Sequence, residues 1–214
     1  MAELLVIQET LYYGESRSGS LLETDPNFRE GVAKRLGLTD GELNPDRQPF
    51  TDFQQIEHYQ NHLVHILAET CSYGFKLAVF VVGHYPLVDH ARAANLLYKQ
   101  WVYDKPWGKM DVWAFADFQL LGDLYNNPGD HGGKWETSHL LASHPDTVDL
   151  NLATKELQYG ILTTQDPINS TAAFGEEIYD AIAKRVAILV NRRMIEPEKY
   201  NGHGSPVDAA WTDF

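Results

Sequence analysis

A chain of 214 residues is long enough for one substantial core, and 43% hydrophobic with 22% charged residues is ordinary for a soluble globular domain. A formal charge of −13 argues against nucleic-acid binding, which needs clustered Lys and Arg. No apolar run approaches the roughly 20 residues that cross a bilayer, the first residues MAELLVIQET lack a secretory signal's basic region, and Cys71 stands alone without a disulfide partner, so a cytoplasmic location is expected.

The first element read from the pattern is a short apolar strand at 4–7 (LLVI), followed by a turn-rich stretch with the aromatic pair Tyr12 and Tyr13. Helical spacing of Phe28, Val32 and Leu36 predicts a helix over 26–36, and the Gly and Pro residues of 39–49 predict an exposed loop. A long helix is expected over 50–73, with Phe53, Ile56, Leu63 and Leu67 as its seam and Gly74 ending it. The run KLAVFVV at 76–82 is the clearest strand, continuous enough to be buried on both faces of a parallel sheet. Pro86 can open the next helix, over 87–103. A second buried strand is expected over 110–115 and a weaker one over 157–163, and the last helix spans 172–193 with Ile178, Ile182, Val186 and Leu189 as its seam. Strands alternating with helices predict an α/β layered domain with a parallel sheet and right-handed crossovers. Residues 1–196 read as one domain, and 197–214 as a polar tail.

Two places can carry chemistry. His84 follows the best strand after Gly83, at the end of the sheet where ligands of open α/β folds collect. The second is the run GDHGGKWETS at 129–138. In it Asp130 and His131 can move protons, Gly132 and Gly133 let backbone approach a ligand, Trp135 offers an aromatic wall, and Glu136 adds a second carboxylate. The run SHLLA that follows reads as the start of a helix capped by Thr137 or Ser138. Nucleophile elbows, phosphate loops and dinucleotide fingerprints are absent from the sequence. His58, His62 and His65 share one helix face, better read as a polar surface than as a metal site.

The stretch VVGHYP after a buried strand, then GDHGGKWETS with LLASHPDTVDL, and later QDPINSTAAFGEEI, resembles the creatininase (creatinine amidohydrolase) family. The resemblance implies a three-layer α/β/α sandwich with a mostly parallel central sheet, a site with one or two divalent metals, and hydrolysis of a small, often cyclic amide by metal-activated water. Zinc or manganese is the metal implied, with iron as a third option. It also implies a homo-oligomer, commonly a hexamer; the charge and hydropathy given above leave no nucleic-acid or membrane partner expected. Carried over by position, His84 matches a metal-binding histidine and Glu136 the glutamate bordering the metal site. His131 matches the proton donor to the leaving nitrogen, and Asp130 the acid before it. Trp135, Gly132 and Gly133 would face substrate.

Two positions depart from the family pattern. Pro86 stands where creatininase itself has a glutamate ligand, and the family's E-x-H-G segment with its following aspartate has no counterpart here. A catalytic zinc usually takes three protein ligands. The missing ones would come from another chain or from local residues such as Glu15, Asp89 or Asp117. Two readings therefore stay open: a metal-dependent amide hydrolase, or a non-catalytic relative that keeps fold and loops as a binding or assembly subunit.

Overall fold

The computed structural model describes residues 26–35, 37–47, 49–108, 110–153 and 165–201. The expected strands at 4–7 and 157–163 and the aromatic pair Tyr12–Tyr13 lie outside the described residues. Helix α1 spans Pro26–Arg35 and α2 spans Asp52–Ser72. At the start of α2 the Thr51 hydroxyl accepts the Gln54 N–H at 3.3 Å while the Gln54 side chain accepts the Thr51 N–H at 2.9 Å, a reciprocal capping box. Strand β1 (Leu77–Val82), helix α3 (Leu87–Val102) and strand β2 (Asp111–Ala116) follow as one βαβ unit. The two strands pair in parallel, Leu77 beside Asp111 through to Val82 beside Ala116.

The pleat sends alternate residues to opposite faces. Leu77, Val79, Trp113 and Phe115 meet Ile178 and Leu189 of helix α5 (Ala172–Ile195) on one face. Ala78, Phe80, Val112 and Ala114 meet α2 and α3 on the other. The chain therefore has an α/β fold with helices on both sides of a parallel sheet, as its apolar strand runs predict.

Helices α2 and α3 run side by side in the same direction: Tyr59 meets His90, Leu63 meets Ala91 and Ala94, and Leu67 and Cys71 share a cluster with Tyr98 and Val102. Phe53, expected on the buried seam, is 79% exposed. The pairing explains why: Phe53 lies nearly two turns before Tyr59, where the partner helix, which begins only at Leu87, has not yet started. Helix α4 (Lys134–Ser143) packs on α5, and a short helix α6 (Glu198–Asn201) follows. Within the segment read as a polar tail, Tyr200 is buried, its ring 4.2 Å from the Arg193 guanidinium. Among the described residues no helix is long and apolar enough to cross a membrane.

Candidate active site

The carboxyl ends of the two strands lie side by side, because Val82 pairs with Ala116. Beyond β1 the chain turns through Gly83, His84, Tyr85 and Pro86 into α3, with the Leu87 N–H donating to the His84 carbonyl at 3.0 Å. His84 itself is exposed at this end. Beyond β2 come Asp117 and Phe118. The Phe118 ring lies 6.0 Å from Tyr85 and packs against Gly129, where an added Cβ would stand 2.6 Å from Phe118 Cγ. Gly129 also has φ +84, a backbone state that disfavours any side chain. Phe118 thus draws the glycine loop up to the end of the sheet that carries His84.

The loop is built by its carboxylates. Asp130 Oδ1 accepts the N–H groups of Gly133 at 3.2 Å and Glu136 at 3.1 Å, and Oδ2 accepts the Trp135 N–H at 2.7 Å. Glu136 Oε2 reaches back to the Gly132 N–H at 2.8 Å, with Gly132 at φ +68. These bonds satisfy the orphan amides of a helix start, and they correct the sequence-based boundary. Helix α4 begins at Lys134, so Thr137 and Ser138 lie inside it and Asp130 does the capping. Both Asp130 oxygens are engaged in holding the loop. His131, by contrast, is exposed at its tip.

Trp135 is only 3% exposed. Its ring packs edge-on against Tyr125 and Phe174, at 5.5 and 5.7 Å, beneath the loop. Gly133 is buried with it and Gly132 is half-buried. Tyr125 is itself fixed by donating its hydroxyl to Glu177 at 2.6 Å, a bond that pushes the phenol up to about 12.

The sequence pattern does not mark one further pair. Asp117 Oδ2 lies 3.4 Å from His139 Nδ1, with side chains 28% and 13% exposed. Burial pushes the Asp117 carboxyl up, opposed by His139 and by the Phe118 N–H. Burial pushes the His139 imidazole down, opposed by Asp117, Glu136 and Asp130. The signal was available in two parts. Asp117 follows β2 as His84 nearly follows β1, and a helix starting at Lys134 puts His139 one turn after Glu136 and Trp135. A start at Ser138 hides that relation.

Other titratable residues are used elsewhere. Asp89 pairs with Arg92 at 3.3 Å, His90 lies 3.2 Å from Gln60, and His58 packs against Phe50. His62 and His65 are exposed on α2. Among the described residues no group of three or more His, Cys, Asp or Glu side chains is arranged to hold a metal ion. An imidazole and a carboxylate at one sheet end suit zinc or manganese in donor chemistry. In number they fall short of the three protein ligands a catalytic zinc usually takes.

No curated protein matches the sequence. Among solved structures, the chain is similar to a glutamate-to-glutamine mutant creatininase of Zn–Zn type at 20% identity and a TM-score of 0.52, covering 85% of this chain and 83% of that one. It is also similar to a tryptophan-to-phenylalanine mutant creatininase at 20% identity and a TM-score of 0.52, covering 80% and 79%. At that identity the likeness concerns the fold. The sequence profile of creatininase, creatinine amidohydrolase, matches residues 48–190, which hold both strands, the His84 turn and the whole glycine loop. The chain belongs to the creatininase family.

Proposed function

We propose that this protein hydrolyses the C–N bond of a small, non-peptide amide, cyclic or linear, with the help of a divalent cation, zinc or manganese. The observation that carries the reading is the meeting of the His84 turn and the Gly129–Ser138 loop at one end of the sheet, joined through Tyr85, Phe118 and Gly129. His84 and Glu136 are the residues that would hold the cation, with at least one further ligand supplied from elsewhere. When bound, such a cation supplies Lewis acidity, polarising a carbonyl and acidifying water.

The chain's own residues do the rest. His131, exposed at the loop tip, is placed to give a proton to the departing nitrogen. Asp130 holds the loop in shape, so its part in turnover is to fix where His131 stands. Gly132 and Gly133 let substrate approach the backbone, and Trp135 supports them from below. A single domain over 1–196, a homo-oligomer such as a hexamer, and a cytoplasmic location complete this reading.

A second reading is favoured by a specific observation: three of the four carboxylate oxygens of Asp130 and Glu136 accept loop amides. A relative that keeps the loop for its architecture, as a binding or assembly subunit, would look the same. Metal analysis of the purified protein, joined to a screen of cyclic and linear amides, separates the two. The hydrolase reading expects near-stoichiometric zinc or manganese, lost in His84→Ala together with turnover. Metal at the level of the buffer and no hydrolysis would favour the subunit.

A further inference from the structure

Asp117 sits immediately after Ala116, the last residue of β2, and its Oδ1 accepts the Phe118 N–H at 2.7 Å. That bond fixes the carboxylate and leaves Oδ2 facing His139. The imidazole is held on its other sides by α5 and α4. Its face stacks on Tyr179 at 4.7 Å and 16°, its edge meets Trp135 at 5.9 Å, and the Tyr179 hydroxyl donates to the His139 carbonyl at 3.3 Å. His139 Nε2 is buried and has no partner among the described residues.

We propose that Asp117 and His139 form a positioning pair, in which the carboxylate keeps the imidazole proton on Nδ1 and the locked ring fastens α4, with Glu136 and the His131 loop, to the end of β2. The tautomer follows from bookkeeping of donors and acceptors. A proton on Nε2 would bury a donor with no acceptor and turn the Nδ1 lone pair against a carboxylate, two penalties at once. A proton on Nδ1 leaves only an unused lone pair on Nε2. Protonating both nitrogens would bury a cation among Trp135 and Tyr179, which the carboxylates of Asp117, Glu136 and Asp130 offset only in part, consistent with burial holding the imidazole below its ordinary range.

The fastening matters because α4 and the loop are one unit. Glu136 binds Gly132, Asp130 binds the first amides of the helix, and His139 lies one turn on. Adjacent residues of one 3₁₀ turn, Asp117–Leu121, tie that unit to the sheet: Phe118 at Gly129, Asp117 at His139. The consequence for turnover rests on the hydrolase reading above; the tautomer does not.

The test has two arms on the full chain. In nitrogen-15 spectra of the imidazoles at pH 7, with His139 assigned by its loss in H139Q, the proton should reside on Nδ1. In D117N it should divide between the nitrogens, because an amide can turn either its oxygen or its NH₂ to the ring. A wild-type ring protonated on Nε2 or freely exchanging, or a D117N spectrum unchanged, overturns the proposal. Should D117N fail to fold, D117E read the same way decides, since it must retain the Nδ1 proton. With any amide the wild type turns over, D117N should lower kcat by about tenfold or more with KM nearly constant, and D117E should recover part of it. Equal kinetics in D117N and wild type would remove the positioning role. A locked tautomer in a protein that hydrolyses no amide would sink the hydrolase reading and leave the pair in place.

Discussion

Gly175 of α5 passes so close to Ser138 of α4 that a Cβ added to the glycine would stand 2.0 Å from the Ser138 carbonyl oxygen. Ser138 is fully buried there, its hydroxyl accepting the Thr171 N–H at 3.2 Å where α5 begins. Glycine in a helix interior forfeits about 1 kcal/mol against alanine, so its presence in α5 reflects contact. Gly175→Ala should therefore destabilise the protein despite its better helix propensity, by about 1–3 kcal/mol as two helices are forced apart. Urea unfolding of wild type and variant measures it. An alanine variant as stable as wild type would show that the crossing has room to relax.

Asp111 opens β2 and Arg193 lies in the last turn of α5, and their side chains meet at 2.7 Å with both almost fully buried. The guanidinium also lies over the Trp113 and Tyr200 rings. Removing one member strands a buried charge, so Asp111→Asn and Arg193→Met should each cost about 3–5 kcal/mol. The double variant should cost less than the sum by about 0.5–3 kcal/mol, because the second change removes a charge the first had orphaned. Additive losses in denaturant titrations would mean the two act through packing alone.

Helices and strands were legible where local spacing and tertiary packing agree. The run Leu77–Val82 is apolar throughout because α2, α3 and α5 cover both faces, and that pattern needs no further context. The exposure of Phe53 was not legible, since it depends on where a second helix begins 30-odd residues later. The loop at 129–138 was marked by its residue types, but its geometry was not. Thr137 and Ser138 are the usual helix caps, and nothing local announces that Asp130 would cap from upstream through three amides. That misplaced boundary is also why the Asp117–His139 pair stays hidden in the sequence, 22 positions apart.

Asp130 and His131 are neighbours with opposite expected profiles. Asp130→Ala strips the acceptor from three amides at the start of α4 and should lower stability by about 1–2 kcal/mol, as a lost helix cap does. His131→Ala alters an exposed side chain and should leave stability within about 0.5 kcal/mol of wild type. On an amide that wild type hydrolyses, His131→Ala should slow turnover by about 10²–10⁴-fold, as loss of a general acid does. Thermal melts and steady-state rates of both variants decide it. If His131→Ala kept full activity, the leaving-group proton would have to come from another residue.

His139 should leave a signature in the pH dependence of stability. Its folded pKa is pushed below the ordinary value of 6.5, chiefly by burial, so in the window just below 6.5 the unfolded chain binds more protons than the folded one. Stability therefore rises with pH across that window, is fully present above it, and is lost as pH falls through the folded pKa. Asp117 acts with the opposite sign. Its folded pKa is raised above 3.8, so its part of the stability is present below that value and is lost as pH rises through the raised one. His139→Gln cannot titrate at this position, so the difference in unfolding free energy between wild type and variant should shrink as pH falls from about 7 towards 5. A difference independent of pH over that range would mean that His139 titrates in the fold as it does in the open chain.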